Sequence, residues 1–290
     1  MRKANKRSTR KRRIWMRKVL QVFFFLLIAI NVVNHTLQKN GAGWSFLPST
    51  SLHAICPFGG VETAYQLLTS GTILQKVRES SVILLMAVFL LAVLFGPVFC
   101  GWICPLGSIQ EWYGKIGRKW LGPKKYNHFI PESLDRVLRY LRYGVLAWVI
   151  YATATSAKLV FQAYDPYFAL FHFWTGEASL TALLILLTIL SMSLLVERPW
   201  CKYACPFGAF LGLSNLFRIF TIQRNEGTCR PGHACSTLCP MNIPVSTGGA
   251  VRNHQCIACL KCTSEQACPV KNTVELTTIK LETNLEEAAS

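Results

Sequence analysis

Four cysteines near the C-terminal end of this 290-residue chain follow the spacing of iron–sulfur cluster ligands. Cys256, Cys259 and Cys262 stand three residues apart, and Cys268 follows with Pro269 directly after it. The run matches the bacterial [4Fe–4S] pattern C-x2-C-x2-C-x3-C-P, with two extra residues before the last cysteine. A structural zinc site usually shows two separated C-x2-C knuckles instead. The spacing therefore favours an iron–sulfur cluster.

A second, less complete run lies upstream. Cys229, Cys235 and Cys239 occupy the first, third and fourth positions of the same pattern, and Gly232 occupies the second. In two-cluster proteins of this kind the fourth cysteine of each run binds the other cluster. We therefore expect one complete ligand set and one set of three. The complete set is Cys239, Cys256, Cys259 and Cys262, and the other is Cys229, Cys235 and Cys268.

The missing fourth cysteine leaves the second cluster's type open. A three-cysteine site can hold [3Fe–4S], or [4Fe–4S] with another fourth ligand, for which His233 beside the gap is a candidate. The more ordinary interpretation of His233 is a solvated loop histidine, and an empty, degenerate site is a third alternative. We expect one robust cubane and one more labile cluster.

A second kind of cysteine motif occurs twice in the apolar part of the chain. Cys100 and Cys104 precede Pro-Leu-Gly, and Cys201 and Cys205 precede Pro-Phe-Gly at the same spacing 101 residues later. Proline is favoured in the first turn of a helix, so Cys104 and Cys205 are predicted at helix N-termini. The positive end of the helix dipole there favours a thiolate or an anionic cluster.

These four thiolates are the number that one further [4Fe–4S] cluster needs. A pair of redox-active dithiols and a soft copper(I) site remain as alternatives. Buried cysteines that act only as small hydrophobic side chains are the ordinary alternative, and the recurrence of the motif argues against it.

The segments between the motifs also repeat. Cys56-Pro57-Phe58 follows the first apolar run, and Asp165-Pro166-Tyr167 follows the third. We therefore predict two tandem helical hairpins in parallel repeat, related by a pseudo-twofold axis that brings the four cysteines together.

Four apolar windows are long enough to span a membrane, since a spanning helix needs about 20 mostly apolar residues. A fifth run, Pro206–Ile222, carries Arg218 and is predicted as a helix lying at the membrane interface. The four windows are Val19–Leu37, Ser80–Phe99, Leu141–Phe161 and Ala178–Val196.

The formal charge of +17 is unevenly distributed, with ten of the 31 basic residues in positions 1–18. This block directly precedes an apolar run, which favours an anchored helix end over nucleic-acid binding. Loop 101–142 and the tail after residue 197 are also basic, whereas loops 41–79 and 157–177 are not. We expect a multi-pass protein of the cytoplasmic membrane with both termini in the cytoplasm.

The fold class is therefore predicted as mainly α: a membrane protein of four transmembrane helices with a small C-terminal α+β ferredoxin-like domain. Four segments are predicted: a basic cytoplasmic tail at 1–18, a four-helix membrane domain at 19–222, a ferredoxin-type [4Fe–4S] domain at 223–275, and a flexible tail at 276–290.

The four spans, the paired C-x3-C-P motifs and the C-terminal double run together resemble the NapH/NosR-type membrane polyferredoxins. The resemblance covers roughly residues 14–275. It implies an electron-transfer component of a quinol dehydrogenase-like complex, which passes electrons between the quinone pool and a redox partner protein. Gly232 departs from the family's ferredoxin motif. NosR-type members also carry a large outer flavin-binding domain, for which loop 41–79 is too short.

Two other functions are compatible with parts of the sequence. Some related polyferredoxins act in the assembly or regulation of a metalloenzyme, for example by reducing copper. A transporter is disfavoured because the spans contain almost no charge. Cys56, Asp165 and His172 lie on predicted outer loops among aromatic residues and are candidates for a quinone site, although an interfacial aromatic belt is the favoured interpretation of the aromatic residues.

Overall fold

The computed structural model describes residues 2–39, 41, 79–122, 125–156, 160–229, 234–247, 249–270 and 273–278. Several sequence predictions concern residues outside these ranges. They are the outer-loop position of Cys56, the role of Gly232 and His233, and the flexibility of residues 279–290.

The N-terminal helix α1 covers Arg2–Lys39, so the basic segment and the first apolar window form one continuous helix. Within it, Arg12–Gln38 is long and apolar enough to cross a membrane. Apolar side chains on one broad face of this stretch are exposed, among them Phe23, Leu26 and Ile30. The helix packs against the elements that carry the first C-x3-C motif.

The first motif lies between two helices. Helix α2 covers Glu79–Phe95 and ends before Gly96, whose positive φ of 89° is compatible with glycine. A π-helical turn, Phe99–Ile103, follows and leads into α3, Pro105–Leu121. The predicted second span, Ser80–Phe99, is therefore shorter than expected at its C-terminal end.

The second half contains two apolar helices and several short ones. A short helix α4, Glu132–Leu138, precedes the apolar helix α5, Leu141–Ser156. The helices that follow are α6 (Pro166–His172), α7 (Leu180–Ser193), α8 (Pro199–Tyr203) and α9 (Pro206–Leu213), with 3-10 turns at Val160–Tyr164 and Ser214–Leu216.

The helices differ in how far they fit the prediction of four spans. Apart from Arg12–Gln38, the apolar helices in the described part of the chain include two shorter stretches, Ile83–Phe95 and Leu180–Ser193. One helix is thus clearly of membrane-spanning length, and the four-span topology stays a prediction.

The prediction of an interfacial helix over Pro206–Ile222 is wrong. Only α9 and the 3-10 turn are helical, and Leu211 at the centre of α9 is fully buried. Helix α9 packs on α5 within the protein. The chain then enters strand β1, Phe220–Arg224, where Thr221 and Ile222 are β-branched and favour a strand.

Strand β1 pairs with β2, Val274–Thr278, in an antiparallel sheet that joins Phe220 to Thr278 and Arg224 to Val274. A short helix α10, Ala234–Thr237, lies between them in sequence. The predicted limits 223–275 are therefore too narrow, because the sheet begins and ends outside them. Residues 276–278, predicted as flexible tail, belong to β2.

One buried core joins the helical part to the C-terminal cysteine loops. It contains side chains of α2 and α5, such as Val88 and Val149, together with Cys100 and five cysteines of the C-terminal runs. Helix α3 packs between α1 and α7, and α6 packs on α7. The two kinds of cysteine motif therefore belong to one packed body.

Candidate iron–sulfur centre

The two proline-containing motifs place their second cysteines as the sequence predicts. Cys104 is the N-cap of α3 and Cys205 is the N-cap of α9, each followed by proline in the first turn. The sulfur of Cys205 accepts a hydrogen bond from the backbone N–H of Gly208 at 3.3 Å. Burial raises the pKa of the Cys104 thiol, and the backbone N–H groups of Gly107 and Leu106 at the start of α3 oppose that rise. Both sulfurs thus lie at helix N-termini, where N–H groups stabilise negative charge.

The four cysteines of these motifs lie together, as the predicted repeat requires. Burial raises the pKa of the Cys104 thiol to about 12, and the neighbouring Cys201 raises it further. Burial also raises the pKa of Cys205 well above its usual value, and Cys201, Cys100 and Cys104 add to that rise. Such thiols ionise when a metal binds them, because the metal replaces the proton.

The C-terminal loops form a second group of four. Burial raises the pKa of the Cys239 thiol to about 12, and Cys259 and Cys256 add to the rise. The pKa of Cys262 is raised by burial and then by Cys259, Cys239 and Cys256. The structure therefore brings Cys239 to the later run, as the crossed alignment of the two runs predicts.

The remaining cysteines lie close to this group. Burial raises the pKa of Cys235, and the nearby Cys229 adds to the rise. Arg224 Nη1 donates to the sulfur of Cys229 at 3.5 Å, and Cys268 is buried in the same core as Cys235. None of the eleven cysteines that the structure describes forms a disulfide.

The two groups of four meet at the π-helical turn. A β-carbon at Gly101 would lie 2.4 Å from the carbonyl oxygen of Ile257 and 3.4 Å from the Cα of Cys259. Beside it, Trp102 Nε1 donates to the carbonyl oxygen of Ala258 at 3.0 Å. The absence of a side chain at Gly101 therefore allows the cysteine loop to pack directly on the turn that carries Cys100.

A buried arginine lies between the groups. Arg198 is fully buried and has a left-handed backbone conformation, with φ of 56°. Its Nη1 donates to the carbonyl oxygen of Cys100 at 2.5 Å, and its Nη2 pairs with Glu111 Oε2 at 2.7 Å. Its charge acts on Cys201 of one group and on Cys259 of the other.

Glu111 forms ion pairs with three cationic side chains in the interior of the protein. Besides Arg198, it pairs with Arg17 at 2.5 Å and with Lys261 at 3.3 Å. Burial alone would raise the pKa of Glu111, but Lys261, Arg198 and Arg17 outweigh it and hold the pKa well below its usual range. Lys261 also pairs with the buried carboxylate of Glu197. This network ties α1 and α3 to the cysteine loop.

The donor set fits an anionic iron–sulfur cluster. Arg142, Arg198 and Arg218 are among the largest fully buried side chains, and the Nε of each has no hydrogen-bond partner in the part of the chain that the structure describes. Arg218 Nη1 lies 3.6 Å from the sulfur of Cys256. Buried cations with spare donors are costly unless negative charge compensates them, and a thiolate-bound cluster supplies that charge.

The spacing of the side chains differs from that of a single-ion site. Within the described ranges, no three His, Cys, Asp or Glu side chains are grouped closely enough to hold one metal ion. In a cubane each of the four thiolates binds a different iron atom, so its sulfurs stand farther apart than those around one ion.

A small cavity of about 60 Å³ lies among the sulfurs of Cys104, Cys201 and Cys205 and is otherwise mostly apolar. Asp165 lines the same cavity, and burial raises the pKa of its carboxyl to about 6. The sequence predicts Asp165 on a loop at the other end of the spans. That separation is wrong, because Asp165 caps α6, which packs on α7 and α3 beside the cysteines.

His172, the other described candidate of the predicted outer loops, has a different environment. Its ring is buried and stacks on Phe168, with ring centroids 4.2 Å apart. Its Nε2 lies 3.8 Å from the carboxylate of Glu177.

Buried thiols in groups, with cations beside them, fit the iron–sulfur binding of ferredoxin-type electron carriers. A family model described as "4Fe-4S binding domain" matches residues 79–124 and 178–221, one segment for each C-x3-C-P motif. The two matches support the predicted duplication.

The chain is also similar to several known proteins. It is 31% identical over 227 residues to the putative electron transport protein YccM of Escherichia coli, covering 75% of this chain and 61% of the relative. An uncharacterized protein of Methanocaldococcus jannaschii is 29% identical over 249 residues, 86% of this chain and 90% of the relative. The ferredoxin-type protein NapH of Haemophilus influenzae is 30% identical over 182 residues, 59% and 60% of the two chains.

A further relative is the regulatory protein NosR of Pseudomonas aeruginosa, 27% identical over 57% of this chain and 23% of its own length. These similarities support the resemblance of the chain to the NapH/NosR-type polyferredoxins. No solved structure matches it.

Proposed function

We propose that the protein is a multi-pass membrane iron–sulfur protein that carries electrons between the quinone pool and a redox partner protein. It would act as the electron-transfer component of an oxidoreductase complex. The complete cubane would be held by Cys239, Cys256, Cys259 and Cys262. The less complete site would be held by Cys229, Cys235 and Cys268, and a third cluster by Cys100, Cys104, Cys201 and Cys205.

The observation that carries the proposal is the contact between the two groups of four thiols. Gly101 and Trp102 lie against Ile257 and Ala258, so the turn that carries Cys100 packs directly on the cysteine loop, with Arg198 buried beside it. Electron transfer between clusters requires them to be close and shielded from water. A contact of this kind meets both needs, because it lies inside one buried core.

Each cluster would supply a site that accepts and releases one electron. The protein's residues bury the sulfurs, donate hydrogen bonds to them and compensate their charge. The N–H of Gly208 donates to the sulfur of Cys205, and the guanidinium of Arg218 lies against the sulfur of Cys256. These contacts favour the reduced state, because they stabilise added negative charge.

Exposed apolar side chains support a membrane location. Ile83, Met86 and Leu90 of α2 and Leu184 and Leu187 of α7 are exposed large apolar side chains. Groups of exposed large apolar side chains on one helix face are unusual on a soluble protein. Together with Arg12–Gln38, these faces support embedding of helices in lipid. The proposal places both termini in the cytoplasm because basic residues concentrate in positions 1–18 and after residue 197.

A quinone site beside Asp165 is part of this proposal. The carboxyl lies in an apolar cavity beside three cysteines, with Phe99, Phe161 and Trp200 among the lining residues. Quinol oxidation measured for Asp165→Asn, with His172→Gln in parallel, tests the site. Full activity in both variants would remove it from the proposal.

The experiment that tests the function is cluster counting on protein purified anaerobically in detergent. Iron and labile sulfide are measured, and EPR spectra are recorded through a redox titration. We expect one robust cubane, one more labile cluster, and a third signal that disappears in Cys104→Ser and Cys205→Ser. Colourless, iron-free protein whose thiols bind zinc or form disulfides would contradict the proposal.

A regulatory or assembly role is the second candidate, and the name of the NosR relative favours it. Such a role could also use electrons, for example to reduce copper during maturation of a metalloenzyme. Copper(II) reduction by the purified, reduced protein separates the two candidates. Fast copper reduction without quinol oxidation would favour the assembly role.

A further inference from the structure

Cys259 is the most accessible sulfur of its group. It is partly exposed, whereas Cys239, Cys256 and Cys262 are each less than 10% exposed. A small surface cavity opens at Cys259, and its lining includes Arg13, Trp102 and Lys261. A cluster in this group would therefore come nearest to solvent at Cys259.

Arg13 and Lys261 line this cavity, and further basic side chains interact with Lys261 nearby. We define the basic patch as Arg13, Lys18, Lys115 and Lys261. Arg13 and Lys18 are exposed on α1, Lys115 is exposed on α3, and Lys261 follows Cys259 by two residues. Two chain segments far apart in sequence thus place positive charge beside one cysteine of the C-terminal run.

The electrostatics of Lys115 show how closely these charges are grouped. Burial of part of its side chain lowers its pKa, the carboxylate of Glu111 opposes this, and Lys18, Lys261 and Arg17 lower it further. The carboxylate of Glu111 is already shared by Arg17, Arg198 and Lys261, and Lys261 also pairs with Glu197. The exposed positive charges of the patch are therefore those of Arg13, Lys18 and Lys115.

We infer that the basic patch around Cys259 is the docking surface for a small acidic electron-carrier protein. This inference rests on the proposed function. In the encounter one electron passes from the partner's reduced centre to the cluster beside Cys259. The partner is oxidised, the cluster is reduced, and no covalent bond changes. Oppositely charged surfaces speed such encounters and orient them.

An anionic lipid headgroup would also be attracted to positive charge, but lipid binding does not require a redox centre beside that charge. An electron partner needs charge and a short path to a redox centre at the same place. The patch provides both, because its cavity opens on the least buried ligand of the complete cysteine set. These observations favour a protein partner over the membrane surface.

The test compares two double variants of the full-length, cluster-loaded protein in detergent. Arg13→Glu/Lys115→Glu reverses two charges of the patch. Arg136→Glu/Arg252→Glu reverses two exposed charges that do not line the Cys259 cavity, so both variants have the same net charge. The probe is a reduced, acidic [2Fe–2S] ferredoxin mixed by stopped flow, and reduced riboflavin serves as a small donor without a protein docking surface.

We expect the patch variant to accept electrons from the ferredoxin about tenfold or more slowly at low salt, with the difference closing as salt rises. The control variant and all riboflavin rates should stay close to wild type. Carbodiimide, which joins lysines to carboxylates in contact, should cross-link the ferredoxin to Lys18 and Lys115 of the wild-type chain. This second readout does not depend on electron transfer.

Equal slowing of both variants, or none in either, would overturn the docking surface. So would a patch variant that exchanges electrons normally but loses binding to vesicles containing anionic lipid, since the patch would then serve the membrane. In each of these cases riboflavin still reduces the clusters and the proposed function stands. Protein without reducible clusters would overturn the proposed function and the docking surface together.

Discussion

Arg198 Nη2 holds Glu111 Oε2 at 2.7 Å inside the protein, at the boundary between the two groups of cysteines. The pair joins the start of α8 to the middle of α3. Because the guanidinium also acts on Cys201 and Cys259, one buried charge influences both proposed cluster sites. Its removal is therefore expected to affect two redox centres at once.

We predict that Arg198→Met lowers the reduction potentials of both clusters, each by about 60 mV or more, which is tenfold for a one-electron couple. The direction follows because a reduced cluster carries more negative charge, which Arg198 stabilises. Arg198→Lys keeps the charge and should recover most of the loss. EPR-monitored redox titration provides the measurement.

The control for this prediction is Arg252→Met, which removes an exposed charge. Glu111→Gln removes a negative charge from the same network and should shift the potentials upward. If the reduction potentials of both clusters are unchanged in Arg198→Met and the cluster content equals that of the wild type, Arg198 has only a packing role.

A second prediction concerns the close approach at Gly101. Gly101→Ala should displace the cysteine loop, because its β-carbon would lie 2.4 Å from the carbonyl oxygen of Ile257. Overpacking of this kind costs about 1–3 kcal/mol. We expect lower thermal stability and a weakened EPR signal from the cluster of Cys256 and Cys259.

Gly208→Ala is the matched control in the second motif. Its β-carbon would have its nearest contact at 3.6 Å, an ordinary van der Waals distance, and the N–H that serves Cys205 would remain. This variant should be neutral or slightly stabilising, since alanine is favoured over glycine in helices. Equal thermal stability and equal EPR signals in the two glycine variants would show that close packing at Gly101 does not hold the two groups of cysteines together.

The cysteine groups were predictable because their information is local. Proline after Cys104 and Cys205 predicts helix N-caps, and the crossed alignment of the two runs predicts the neighbourhood of Cys239. The duplication was visible because the motif recurs with the same spacing. Spacing of this kind is fixed by ligand geometry, so it can be read without knowledge of the fold.

The supporting residues were not predictable in the same way. Glu111 stands in an amphipathic helix and Arg198 follows an apolar run, where a solvated charge is the ordinary interpretation. Their roles arise from packing between segments that are far apart in sequence. Asp165 shows the same limit, because repeat symmetry placed it on a loop but could not show that α6 packs beside the cysteines.

The change from helix to strand after α9 was also missed. The run from Pro206 to Ile222 is mostly apolar, so its periodicity does not distinguish a buried helix from a buried strand. The strand partner, Val274–Thr278, comes more than 50 residues later. Pairing across that distance is a tertiary property, which the local pattern of Phe220–Arg224 does not contain.

A third prediction tests the crossed assignment of ligands. Cys239→Ser should remove or convert the robust cubane, because the sulfur of Cys239 lies with Cys256, Cys259 and Cys262. Cys229→Ser should leave that cubane intact and affect only the labile cluster. Iron content and EPR spectra of the two variants are compared with those of the wild type. The opposite pattern, with the robust signal lost in Cys229→Ser, would refute the assignment.

A fourth prediction concerns Asp135, which anchors α4 to α8. Its carboxylate accepts from Tyr203 at 2.5 Å and pairs with Lys202 Nζ at 2.7 Å, and Lys202 is fully buried. Asp135→Asn leaves this ammonium without its countercharge, which costs about 3–5 kcal/mol when a buried pair is broken. Thermal unfolding in detergent at pH 7 should show the loss. Glu132→Gln, an exposed change on the same helix, should show almost none.

The pH dependence of this effect has a definite sign. Burial alone would raise the pKa of Asp135, but Lys202, Tyr203 and Arg139 outweigh it and lower the pKa below 3.8. Its contribution to stability is therefore complete above pH 3.8 and is lost as the pH falls through the lowered value. The stability difference between wild type and Asp135→Asn should narrow below about pH 4. A difference that stays constant down to pH 3 would mean that the charge of Asp135 does not stabilise the fold.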